Sequence, residues 1–331
     1  MKKNRYWLHA LLFLATFFTT TVAGVTWARQ DPFDLSNFMM GIEYSVLLLI
    51  FLSAHEFGHY VAARLHKVDA TLPFYIPFPI SEAFPLHFGT FGAVIKTRSP
   101  ILRSKALFDI GVAGPIAGFA VSLGFMIYGL MTLPPIAYPQ SDWGLFFGDT
   151  LIYSILAGIF ADPGNWLPPM NYIQTNPVLN VAWFGMFVTS LNMLPLGQLD
   201  GGHVLYAMFG RRQHLISRIL WYFLLAMGLL GLFATLHDYF THPVVIDQYP
   251  TVVSIMSPIY DFLYSIGPFM VKFWPGWLIW AMITKFFIKI KHPIIQYEEP
   301  LDRKRMAIGW FAILILVLTF SYNGIFWIDR I

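Results

Sequence analysis

The stretch "LSAHEFGHY", residues 52 to 60, sets two histidines and a glutamate inside an otherwise apolar run. The surrounding segment, 42–65, is long enough to cross a membrane, which takes about 20 mostly apolar residues. An ionisable side chain there costs about 2.5–3.5 kcal/mol even on the lenient insertion scale, so three within five residues point to a site rather than to accident. Composition supports the membrane reading. Of 331 residues, 57% are hydrophobic and 12% charged, with a mean hydropathy of +0.60, whereas soluble domains carry about 25% charged residues. The chain has no cysteine. Disulfides, thiolate ligands and a cysteine nucleophile are excluded, and any metal site must use nitrogen and oxygen donors.

Working outward, six more segments read as spans: 7–28, 106–132, 177–209, 214–236, 259–284 and 306–328. The expected fold is an all-α integral membrane protein, a polytopic helical bundle of about seven spans with a short re-entrant or interfacial β-like loop. Basic residues fall in four groups: Lys2 to Arg5; Arg64 to Lys105 between spans two and three; Arg211, Arg212 and Arg218; and Lys285 to Arg305. Of the 21 lysines and arginines only Arg29, Lys272 and Arg330 lie outside these groups, and loops 134–176 and 237–258 have none. Seven alternating spans put all four groups on one side, which is therefore cytoplasmic, with the N-terminus. Span one has a second reading as a cleaved signal peptide, for which "TVA" at 21–23 supplies small residues, although its apolar stretch is long for that. Residues 144–160 are apolar but short and carry Asp149, and read as an interfacial or re-entrant helix. Residues 70–98 are rich in Pro and aromatics. Within them 86–96 sets glycines among β-formers, as a strand or hairpin dipping into the interface would, and an apolar loop lying on the membrane surface is the equal alternative. The chain divides into an N-terminal accessory segment, 1–41, a core, 42–236, and C-terminal accessory segments, 237–331.

His55 and His59 are four residues apart, so a helix stacks them on one face, one turn apart. That spacing lets two imidazoles chelate one Zn²⁺, and Glu56, offset by one position, is placed to take a proton from an activated water. A catalytic zinc usually takes a third protein ligand and keeps one position open. The candidates lie in "TSLNMLPLGQLDGGH", 189–203, where Pro195, Gly197, Gly201 and Gly202 break the helix. Asp200 matches His55 and His59 in depth, since spans two and four run in the same direction. His203 is a rival ligand, and helix capping is the ordinary role of a carboxylate such as Asp200.

"HEFGH" in one span and "NMLPLGQLDGG" in a later one resemble the site-2 protease family of intramembrane zinc metalloproteases, over roughly residues 40–235. The stretch "FGTFGAVIKTRSPILRSKALFDIGVAGPIAGF", 88–119, is similar too, most of all to the cyanobacterial and chloroplast branch. The resemblance implies one Zn²⁺ per chain held by His55, His59 and Asp200, with Glu56 as catalytic base and Asn192 near the site, holding substrate or an oxyanion. "VAGPIAG", 112–118, is read as a close-packing surface.

The implied activity is hydrolysis of a peptide bond within or near a transmembrane helix of another protein, with a locally unwound substrate received along 86–96 by edge addition. Expected partners are a transmembrane protein substrate and the lipid bilayer, with no nucleic acid. A membrane metal transporter would explain His and Asp in spans but not Glu56 between them. An inactive scaffold of the same family would show decayed motifs, and here each position is filled. The expected location is a bacterial inner membrane, because the N-terminus is short and lacks a Ser-rich, Arg-rich transit peptide.

Overall fold

The computed structural model describes residues 5–79, 88–133, 144–161 and 168–328, so part of the 86–96 segment lies outside the described residues. The fold is mostly helical: α1 Tyr6–Trp27, α2 Ile42–Leu65, α3 Ser104–Thr132, α4 Leu151–Phe160, α5 Met170–Ile173, α6 Pro177–Met193, α7 Asp200–Phe209, α8 Gln213–Thr241, α9 Pro250–Ile266, α10 Gly276–Ile283 and α11 Arg303–Thr319. Strands β1 Phe74–Pro77 and β2 Thr90–Val94 pair antiparallel, as do β3 Gly144–Phe147 and β4 Ile325–Ile328. Among the described residues, four helical stretches are long and apolar enough to cross a membrane: Tyr6–Trp27, Leu35–Leu65, Ser104–Thr132 and Asp200–Thr241.

The centre of the bundle is α3 packed between α2 and α6, with α7 against its first half. Phe51 of α2, Phe108 and Met126 of α3 and Trp183 of α6 are fully buried there. Trp183 stacks on Phe147 with ring centroids 4.2 Å apart and donates its indole N–H to the Gly148 carbonyl at 2.8 Å. Helix α6 starts where Asn176 caps it, accepting the Leu179 N–H at 3.0 Å, with Pro177 at the first helical position. Proline there loses no helical hydrogen bond.

Some elements follow the sequence expectation and others differ. The segment 177–209 breaks as its Pro- and Gly-rich stretch leads one to expect, with α6 stopping at Met193 and α7 resuming at Asp200 and running on through a 3₁₀ turn at Gly210–Arg212 into α8, but Gly201 and Gly202 lie inside α7 and not in the break. Pro195 cannot donate to a helical ladder, which accounts for the stop. Residues 259–284 are split at Gly267–Lys272, where a 3₁₀ turn starting at Pro268 separates α9 from α10. Residues 306–328 are helical only to Thr319, because Ile325–Ile328 pair with β3. Residues 144–160 begin as that partner strand, and helix α4 starts only after Thr150, whose hydroxyl accepts the Tyr153 N–H at 3.3 Å.

Helix α1 packs on both α2 and the β1–β2 pair. Thr20 and Ser45 hydroxyls lie 2.6 Å apart, Thr19 donates to the Gly89 carbonyl at 2.7 Å, and His9 Nδ1 donates to the Pro73 carbonyl at 3.0 Å. At the end of the bundle where α2 finishes and α3 and α11 begin, Asp109 accepts from Arg305 Nε at 2.9 Å and Nη2 at 2.6 Å and lies 2.7 Å from His66 Nε2. Hydrogen bonds to charged groups contribute more than neutral ones. Asp109→Ala is expected to lower stability in detergent by about 1–3 kcal/mol, read by thermal unfolding. An unchanged melting temperature would show that this cluster does not hold α11 to the core.

Candidate metal centre

Helix α2 places His55 and His59 one turn apart, both buried, with their Nε2 atoms 3.1 Å from each other. The turn Leu194–Leu199 then delivers Asp200, the first residue of α7, so that its Oδ2 lies 3.4 Å from each Nε2. Among the described residues this is the one cluster of three or more His, Asp or Glu side chains able to hold a metal ion. Donors around a tetrahedral zinc with bonds of about 2.0–2.1 Å lie about 3.3 Å apart. The observed triangle, with edges of 3.1, 3.4 and 3.4 Å, matches one face of such a tetrahedron. The donor set, two imidazoles and a carboxylate, is one that zinc accepts.

The second nitrogens of the histidines are treated differently. His59 Nδ1 donates to the Ile110 carbonyl on α3 at 2.7 Å, which fixes the tautomer and turns the Nε2 lone pair toward the cluster. His55 Nδ1 is buried with no hydrogen-bond partner. Glu56, also buried, points elsewhere: its Oε2 accepts the backbone N–H of Ile95, just past β2, at 2.8 Å. Asn192, near the end of α6, brings its Nδ2 to 3.4 Å from His55 Nε2. His55, His59 and Asp200 thus converge, and Asn192 reaches them through His55. The rival ligand His203 is not in the cluster. It lies one turn further along α7 and donates from Nδ1 to His292 Nε2 at 2.8 Å.

Three contributors were not visible as such in the sequence. The Ile110 carbonyl and the Ile95 N–H are backbone groups without a residue-type signature. The third is Gly114, inside the stretch read only as a packing surface. A Cβ at Gly114 would lie 2.1 Å from His59 Nε2 and 2.4 Å from its Cδ2. Its bare Cα is what lets α3 lie against the cluster. The signal for it was present as glycines 111, 114 and 118 on one face of α3.

Comparison with known proteins finds a family and relatives of the class that such a donor set suits. The model of peptidase family M50 matches residues 43–235. The probable zinc metalloprotease EGY2, chloroplastic, of Oryza sativa subsp. indica is 30% identical over 240 residues, covering 70% of this chain and 41% of its own. The probable zinc metalloprotease EGY1, chloroplastic, of Oryza sativa subsp. japonica is 31% identical over 252 residues, covering 69% of this chain and 42% of its own. The Arabidopsis thaliana EGY2 protein is 27% identical over 234 residues, covering 69% and 39%. The chain thus spans about two fifths of the length of these relatives. No solved structure matches.

The glycine requirement gives a direct test. Gly114→Ala should lose zinc from protein purified in detergent, since the new methyl overlaps the His59 ring. Gly124→Ala, at an α3 position with nothing within 4 Å of its Cβ, should keep it. Equal zinc content in the two variants would show that the close approach at residue 114 is irrelevant to the site.

Proposed function

Because the chain belongs to peptidase family M50, we propose that it is a zinc metalloendopeptidase that hydrolyses a peptide bond within or near a membrane-spanning helix of another protein. The observation that carries this reading is the triangle of donor atoms from His55, His59 and Asp200, with edges of 3.1, 3.4 and 3.4 Å, beside a carboxylate that is not part of it. His55, His59 and Asp200 would hold the metal. Bound there, zinc supplies Lewis acidity toward a carbonyl and a water.

The protein's own groups divide the remaining work. Glu56 takes a proton from the attacking water as its oxygen adds to the scissile carbonyl carbon. The same proton passes to the amine nitrogen as the C–N bond breaks. The Ile95 N–H orients the Glu56 carboxylate through its Oε2. Asn192 Nδ2, beside His55, is a donor available to substrate or to the developing oxyanion. The substrate must expose its backbone first, since a helix satisfies its own carbonyls. We place the unwound segment along β2, which among the described strands pairs only with β1. A strand added at its other edge would run toward the Ile95–Glu56 contact.

Membrane residence follows from the four long apolar helices and from the family. We propose the full seven-span topology with an inward N-terminus on the distribution of basic residues, α6, α10 and α11 contributing to the shorter spans. The bacterial inner membrane expected from the sequence gains no support from the relatives compared, which are chloroplastic plant proteins. The division into a core at 42–236 and accessory segments on either side stands as a proposal.

Two experiments test these points. Glu56→Gln should retain about one zinc per chain while cleavage of a membrane-helix substrate falls by a factor of about 100 or more. His55→Ala and Asp200→Ala should lose both zinc and cleavage. Full zinc in Asp200→Ala would remove Asp200 from the ligand set, and normal cleavage by Glu56→Gln would remove Glu56 from the reaction. For topology, the absence of native cysteine allows single introduced thiols to be read without background. A membrane-impermeant maleimide should label Thr251→Cys from outside and Ser99→Cys only after permeabilisation. The reverse pattern would invert the orientation.

A further inference from the structure

The family match ends at residue 235, yet the turn that delivers Asp200 is fastened by residues far beyond it. Gly197, in the middle of that turn, donates its N–H to the Ile290 carbonyl at 2.9 Å. The Lys289 carbonyl lies so close that a Cβ on Gly197 would come within 1.8 Å of its oxygen. Both residues have positive φ, +48° at Gly197 and +67° at Lys289. Lys289, with ψ 151°, occupies a region disfavoured for any residue with a Cβ and kept only where the surroundings impose it. It directly follows a single π-helical turn, Thr284–Ile288, a feature that occurs frequently at functional sites.

His292, two residues past Ile290, is held at every polar atom. It is 3% exposed. Its N–H faces Gln213 Oε1 at 3.4 Å, and its carbonyl accepts from His214 Nε2 at 2.9 Å. Its Nδ1 donates to the Pro293 carbonyl at 2.6 Å. That leaves Nε2 as a lone pair, and it accepts from His203 Nδ1 at 2.8 Å. The Tyr206 ring stacks on it with centroids 4.4 Å apart. Burial pushes the His292 pKa down to about 4, in keeping with a neutral ring that accepts. His203 and Tyr206 both belong to α7, whose first residue is Asp200.

We infer that Lys289–His292 is a positioning element for the third metal ligand: the backbone clamp at Gly197 and the His292–His203 hydrogen bond together fix the start of α7 and with it the Asp200 carboxylate. The inference rests on the assignment of His55, His59 and Asp200 as zinc ligands. It makes part of the segment beyond the core a support of the metal centre, although none of its side chains belongs to the donor triangle. A group that acts by orienting a ligand typically changes metal affinity about 10–100-fold when removed.

The test uses the full chain purified in detergent and three readouts: zinc affinity by chelator competition, the visible absorption of the cobalt(II)-loaded protein, and the melting temperature of the metal-free form. His292→Ala should bind zinc about tenfold more weakly and shift the cobalt spectrum away from the wild-type tetrahedral pattern. His292→Gln keeps an acceptor for His203 and should restore both. Should His292→Ala not fold, His214→Ala, which withdraws the donor to the His292 carbonyl and the ring beside Tyr206, should move affinity and spectrum the same way by a smaller amount. A segment that merely packs would lower the metal-free melting temperature and leave zinc affinity and cobalt spectrum unchanged, and that result overturns the inference. Wild-type protein that binds neither zinc nor cobalt would overturn the ligand assignment itself, and the inference with it.

Discussion

Two imidazole nitrogens and one carboxylate oxygen, 3.1–3.4 Å apart in the middle of an apolar bundle, set the terms for everything packed around them. A largely buried carboxylate without partners is strongly destabilising, and a buried imidazole without hydrogen bonds carries a smaller cost of the same sign. Brought together, the three groups compensate one another and leave their lone pairs convergent, which is the state a divalent cation rewards. Helix α3 must then approach α2 closely enough for the Ile110 carbonyl to reach His59 Nδ1 at 2.7 Å, and that approach demands a residue without a Cβ at 114. Helix α6 must stop short, because a continuous helix through residue 200 would carry the carboxylate past the histidines.

The stop has its own physical problem. Breaking a helix inside a membrane protein frees backbone groups that lipid cannot satisfy, so such breaks survive only where protein or water replaces the lost partners. Here the replacements are specific. The Pro195 carbonyl accepts from the Ser217 hydroxyl and, at 3.4 Å, from Gln213 Nε2, both on α8. The Gly197 N–H is taken by the Ile290 carbonyl. The turn that presents Asp200 is thus held from two directions, by the helix that follows it and by a segment some 90 residues later in the chain.

This division explains what could be read in the sequence. The histidine pair and its glutamate were legible because their spacing is a property of a single helix. Asp200 was legible as the acidic residue at matching depth beside a Pro- and Gly-rich break. His203, close by in the chain, is set aside by the fold, which leaves it outside the donor triangle and bonds its Nδ1 to His292, a pairing that no local pattern encodes. Strand β4 failed for a related reason. Ile325–Ile328 is as apolar as the end of a helix, and hydropathy alone does not distinguish the two. Its identity comes from pairing with Gly144–Phe147, a non-local event. The splits within 259–284 and after Met193 were foreshadowed by Pro and Gly, whereas the clamp by residues 289–293 left no trace in the composition of either segment.

The two halves of the proposed chemistry are steadied from opposite ends of the chain. The base is tied to the strand pair, because Glu56 accepts the Ile95 N–H. The strand pair is in turn held by α1, through His9 on the Pro73 carbonyl and Thr19 on the Gly89 carbonyl. The third ligand is tied to α7, and α7 to residues 289–293. Both supports, residues 6–27 and 289–293, lie outside the stretch that matches the family model, 43–235. In the proposed chemistry the family core would supply the reacting groups on α2, α6 and α7, and the flanking segments would act on their orientation. Displacing α1 would reach the site as a rotated Glu56, and displacing the 289–293 segment would reach it as a misplaced Asp200. A substrate strand arriving along β2 would meet the first of these couplings directly, since it lies against the strand whose next residue holds the base.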